Sequence, residues 1–82
     1  MRTNVNNYLK NRRVLSGMTQ MQVAKALGYR NAQFISNVER NVCAVLPGVA
    51  IKICLVVGGD LNKLEKHWIR DCRDWFLKEL EK

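Results

Sequence analysis

The chain is 82 residues long, 48% apolar, and carries a formal net charge of +7. That length supports one small domain with a single modest core, and the apolar content excludes a disordered chain. No apolar run is long enough to span a bilayer, and the N-terminal MRTNVNNYLK lacks the apolar centre of a secretory signal, so we expect a cytoplasmic protein.

Taken in order, the pattern predicts an all-α chain of five helices forming one domain over residues 1–82, with no linker, repeat or low-complexity segment. The first helix covers residues 4–16, with Val5, Tyr8, Leu9 and Leu15 on or near one face and Gly17 ending it. The second opens at a capping box, in which Thr19 caps the helix while Gln22, three residues on, reaches back to it. Val23, Ala24 and Leu27 form its apolar stripe, and Gly28 stops it. The third is capped by Asn31 and buries Ile35 and Val38, with Phe34 nearby.

A loop over residues 41–46 leads to Pro47, a favoured first-turn residue, and to a segment running to Val57 that is apolar almost all round. Its β-branched content suits a buried strand as well as a helix, and periodicity does not separate the two. As a helix it must be covered on several sides, in part by a second subunit. Gly58-Gly59 breaks the pattern, and Asp60 caps a fifth helix that extends over residues 60–82. Along it Leu61, Leu64, Trp68, Ile69, Cys72, Trp75, Phe76, Leu77 and Leu80 recur at three- and four-residue steps. Such a helix outruns a four-helix domain. Its apolar side either completes the core or meets another subunit; we expect Trp68, Cys72, Trp75, Phe76 and Leu80 to form a homodimer interface.

The placement of charge narrows the function. Residues 1–59 hold eight bases (Arg2, Lys10, Arg12, Arg13, Lys25, Arg30, Arg40 and Lys52) against one acid, Glu39, for a net +7. Residues 60–82 hold six of each sign, which cancel. The excess therefore surrounds the second and third helices, where residues 19–40 (TQMQVAKALGYRNAQFISNVER) read as two short helices joined by a tight turn. Gln33, Ser36, Asn37 and Arg40 lie off the apolar stripe of the third helix and have the length and chemistry to reach base edges and phosphates. The plainer reading of each is a solvated polar residue. The concentration of positive charge around them favours a polyanion, and double-stranded DNA in particular.

LKNRR, then GMTQMQVAKALGYRNAQFISNVER, then the apolar segment after Pro47 resemble the lambda-repressor-like, Cro-type (xenobiotic-response-element) helix-turn-helix family over roughly residues 5–65. The resemblance implies a five-helix DNA-binding fold whose third helix enters the major groove, here with an extended C-terminal helix. Carried over by position, it implies that Gln20 contacts a phosphate, that Gln33 and Asn37 face base edges, and that Ser36 and Arg40 touch backbone or bases nearby. Lys25, Arg30 and Asn31 complete the expected DNA-binding set, with Lys10 and Arg12 as further phosphate contacts. It also pairs Arg13 with Glu39 in a largely interior salt bridge between the first and third helices. The turn GYRNAQ is one residue longer than in the best-known repressors, and Asn41 stands where the family usually has Gly. The implied function is a transcriptional regulator, a repressor or autoregulator, bound as a homodimer to an inverted-repeat operator.

Other chemistry finds little support. Three widely spaced cysteines, Cys43, Cys54 and Cys72, with no C-x-x-C, argue against a disulfide scaffold or a metal site, and buried or half-buried thiols are expected. His67 and Cys72 are five residues apart, which places them on different faces of a helix. No paired carboxylates, phosphate-cradling loop or activated nucleophile suggests an enzyme, and no cofactor is implied. RNA is the weaker nucleic-acid partner, because no aromatic platform is interleaved with the bases. The alternative from another class is a protein-interaction module, antitoxin-like or an anti-regulator, using the fourth and fifth helices.

Overall fold

A computed structural model describes residues 3–82 as five α-helices, with no strand among the described residues. Arg2, counted in the basic half of the sequence, lies outside them. The helices are α1 (Thr3–Leu15), α2 (Gln20–Ala26), α3 (Gln33–Glu39), α4 (Pro47–Val56) and α5 (Leu61–Leu80). The ambiguous apolar segment is thus a helix, begun by Pro47 in its first turn.

Local chemistry explains most of these boundaries. At the start of α2 the Thr19 side chain accepts from the Gln22 backbone N–H at 3.1 Å, while the Gln22 side chain accepts from the Thr19 N–H at 2.8 Å. At α5 the Asp60 carboxylate accepts from the backbone N–H groups of Asn62 and Lys63. The start of α1 is different, because its cap comes from across the molecule. Asp71, on α5 and buried, accepts from the backbone N–H groups of Asn4 and Val5 at 3.0 and 2.9 Å, and from Asn4 Nδ2 at 2.8 Å. One carboxylate thereby satisfies N–H groups that the first turn leaves unpaired, at the end of the helix where negative charge is favoured.

The core collects Val5 and Leu9 from α1, Val23 and Ala24 from α2, and Ile35 and Val38 from α3. Val45 from the loop, Ala50, Ile53, Cys54 and Val57 at α4, and Leu64 from α5 complete it. Burying each of the larger side chains is worth about 1.5–3 kcal/mol, so this set dominates the stability. Among pairs of elements, α1 and α5 share the most extensive contact. In the α4–α5 turn Gly59 is required: a Cβ there would fall 2.6 Å from Cys54 Sγ and 3.3 Å from the Tyr8 hydroxyl. That hydroxyl accepts from the Asp60 N–H at 2.8 Å and lies 3.3 Å from the Asp60 carbonyl, tying α1 to the α4–α5 turn.

Several sequence expectations need correction. Leu15, the last residue of α1, is exposed, because it falls off the face that Val5 and Leu9 turn inward. Asn31 is not the N-cap of α3; Ala32 holds that position. Cys72 is exposed rather than buried, whereas Cys54 is buried and Cys43 half-buried. α4 is covered along Ala50, Ile53 and Cys54 but leaves Ile51 and Leu55 exposed. Trp68, assigned to a subunit interface, is half-buried and packs against the core of its own chain.

Candidate nucleic-acid interface

The candidate site is assembled by the way α2 ends and α3 begins. Gly28 adopts φ +85°, and the Gly28 and Tyr29 N–H groups donate back to the carbonyls of Lys25 and Ala24 at 3.0 and 2.9 Å. These paired backbone bonds close the helix and turn the chain outward. Residues 27–32 form the connection, steadied by the Tyr29 and Phe34 rings with centroids 5.3 Å apart. Asn31 still acts on α3 from outside its first turn, its Oδ1 accepting from the Gln33 N–H at 2.9 Å. Its side chain is thereby occupied by the helix start.

α3 turns Ile35, Val38 and Glu39 inward. Gln33, Asn37 and Arg40 lie on another line, at i, i+4 and i+7, with Gln33 and Arg40 exposed and Asn37 half-buried. Their side chains are linked: Asn37 Oδ1 accepts from Gln33 Nε2 at 2.9 Å and from Arg40 Nη2 at 2.7 Å. Ser36 is half-buried, and Lys25 and Arg30 are exposed, on α2 and in the connection.

The helix stops at Arg40, and Asn41 follows with φ +60°. The Val42 N–H donates to the Asn37 carbonyl at 2.9 Å and the Asn41 N–H to the Val38 carbonyl at 3.1 Å, the same closing pattern as at Gly28. Asn fits this left-handed position for a second reason. Its Oδ1 accepts from Nδ2 of Asn6, a fully buried α1 residue, at 3.2 Å, and Asn6 Nδ2 also lies 3.3 Å from the Cys43 carbonyl.

Beneath the site, Arg13 Nε and Nη2 donate to the two oxygens of Glu39 at 2.6 and 2.9 Å, a bidentate pair. Arg13 Nη1 also donates to the Met18 carbonyl at 2.8 Å, so this one side chain joins α1, the α1–α2 turn and α3. The hydrogen bond to Glu39 raises the Arg13 pKa above its ordinary value, against the opposing effect of burial. Gln20, expected on a phosphate, donates from Nε2 to Glu39 Oε1 at 3.0 Å, which uses one of its two N–H groups. Arg12, also expected on a phosphate, donates to the Gly58 carbonyl at 3.0 Å and braces the end of α4.

The second set of predicted residues lies away from this face. Trp75 and Leu80 are 57% and 66% exposed, and Phe76 and Cys72 are exposed with them on the outer half of α5. At its inner half Leu61, Leu64, Glu65 and Trp68 join Pro47 and Ile51 of α4 around an apolar groove of about 270 Å³. No group of three or more His, Cys, Asp or Glu side chains placed to hold a metal ion occurs among the described residues, and no described helix is long and apolar enough to cross a membrane. His67 instead stacks beside Tyr8, ring centroids 5.0 Å apart. In comparisons with known protein families, curated proteins and solved structures, nothing matches this chain.

Proposed function

We propose that this chain is a sequence-specific double-stranded DNA-binding transcriptional regulator of the lambda-repressor-like, Cro-type class, acting in the cytoplasm as a homodimer on an inverted-repeat operator. One observation carries the reading: the polar line Gln33, Asn37 and Arg40 faces away from the core on a short helix, within the part of the chain that holds the whole positive excess. The pair of half-buried Arg13 with buried Glu39 supports it, because it neutralises the only acid of that region, which would otherwise repel phosphate. In this reading α3 lies in the major groove. Gln33 and Asn37 select sequence, Ser36 and Asn31 sit at the rim, and Lys25, Arg30 and Arg40 with the second N–H of Gln20 hold phosphates.

The test is a binding titration against a selected operator and a shuffled duplex over a range of salt. Gln33→Ala should cost roughly 1–3 kcal/mol on the operator and relax preference at the base position that Gln33 faces. Lys25→Ala should weaken binding to both duplexes alike and flatten the salt slope. Unchanged sequence preference in Gln33→Ala would refute the assigned reading face.

A second reading, a protein-interaction module, is favoured by the α4–α5 groove and the exposed apolar line of α5 that runs on from it. Light scattering on the purified chain separates the two. A clean dimer supports self-pairing through α5; a monomer that self-associates without limit supports a missing partner.

A further inference from the structure

We infer that Arg40 and Gln33 act together as positioning residues that lock the Asn37 amide into a donor-only state, so that Asn37 reads guanine rather than adenine. This rests on the proposed DNA-reading role of α3 and makes it more specific. A carboxamide oxygen accepts along two lone-pair directions. Both directions at Asn37 Oδ1 are taken, by Gln33 Nε2 at 2.9 Å and Arg40 Nη2 at 2.7 Å. The arginine bond is charge-assisted, and therefore the stronger of the two. What Asn37 has left to present is its Nδ2, with two N–H donors.

The consequence follows from the edges of the bases. An asparagine that reads adenine must donate to N7 and accept from the N6 amino group, and it needs an open Oδ1 for the second bond. Guanine offers N7 and O6, two acceptors and no donor, in the major groove. A donor-only amide matches guanine and leaves the adenine amino group unpaired. Gln33 differs, because its Oε1 and its second N–H remain open. One α3 therefore carries a residue able to read adenine beside one held to guanine.

The experiment measures binding of the full chain to a selected operator carrying each of the four bases at the position whose preference Asn37→Ala abolishes. For the unsubstituted protein, guanine should exceed adenine there by about tenfold, the discrimination of one good base contact. Arg40→Met removes one donor and should shift that ratio toward adenine by a similar factor. Gln33→Met frees the other lone pair and should shift the same position in the same direction. This second variant separates positioning from a direct guanine contact by Arg40, which Gln33→Met would leave intact. Both side chains are exposed, and matching melting curves confirm that the variants fold. Adenine preferred by the unsubstituted protein, or no shift in Gln33→Met, overturns the inference while leaving sequence-specific binding in place. Loss of all sequence preference in the unsubstituted protein overturns the DNA-reading proposal, and this inference with it.

Discussion

Glu39 shows how much one side chain can be asked to do. It is the only acid in the first 59 residues, its side chain is 6% exposed, and it accepts from Arg13 twice and from Gln20 once. Removing Glu39 leaves the half-buried Arg13 guanidinium with only the Met18 carbonyl, so Glu39→Ala should destabilise the fold by at most about 3–5 kcal/mol, read from chemical denaturation. A cost below about 1 kcal/mol would place the pair in the class of exposed ion pairs. The pH response lies elsewhere. The Arg13 pKa is raised, so on the alkaline side its contribution is lost only far into alkali. Cys54 matters within reach: burial foremost, with Asp60 adding, raises its thiol pKa, while Arg12 opposes. The unfolded chain therefore releases that proton first as pH rises. The stabilisation is complete below the ordinary thiol range and is lost as pH climbs through the folded value. The stability gap between the unsubstituted protein and Cys54→Ala should narrow above about pH 8.5; a constant gap contradicts this.

At the level of elements, the helix ends divide into two kinds. Thr19 with Gln22, Asp60 and Gly28 were readable because each acts on backbone within a few residues of itself. Asp71 on Asn4 was not, since 67 positions separate the partners and no local spacing rule joins them. The same holds for Asn6 with Asn41, 35 positions apart. Asn31 was assigned the correct task one residue too close, the usual uncertainty of a helix boundary. The polar line of α3 was visible from its 3.6-residue period, but the links that join Asn37 to Gln33 and Arg40 depend on side-chain rotamers that a period does not specify. Asp71→Ala should cost about 1–2 kcal/mol and fray the start of α1 in amide exchange, without changing the secondary structure of α3. Asn41→Gly relieves the left-handed backbone yet should destabilise by about 1 kcal/mol, because it removes one of the two acceptors of the buried Asn6 amide and leaves only the Cys43 carbonyl. A stabilised Asn41→Gly variant would show that the Asn6 bond carries nothing.

For the whole molecule, the 20-residue α5 sets the shape. It is about 30 Å long, against overall dimensions of 40 × 24 × 19 Å, and all residues from 72 onward are exposed. The apolar side chains Trp75, Phe76 and Leu80 on its exposed outer half are a liability unless they are covered. We expect Trp75→Lys combined with Phe76→Glu to convert a dimer to a monomer in light scattering with little change in helical content, since neither side chain belongs to the core. The monomer should also lose operator affinity more than nonspecific affinity, because pairing two reading helices is what matches two half-sites. The most direct test of the central proposal is selection of bound duplexes from a random pool by the purified full chain. We expect an inverted repeat whose half-sites are centred about 10–10.5 base pairs apart, the spacing at which two α3 helices meet successive major grooves on one side of the DNA. Recovery of sequences no different from the starting pool would contradict it.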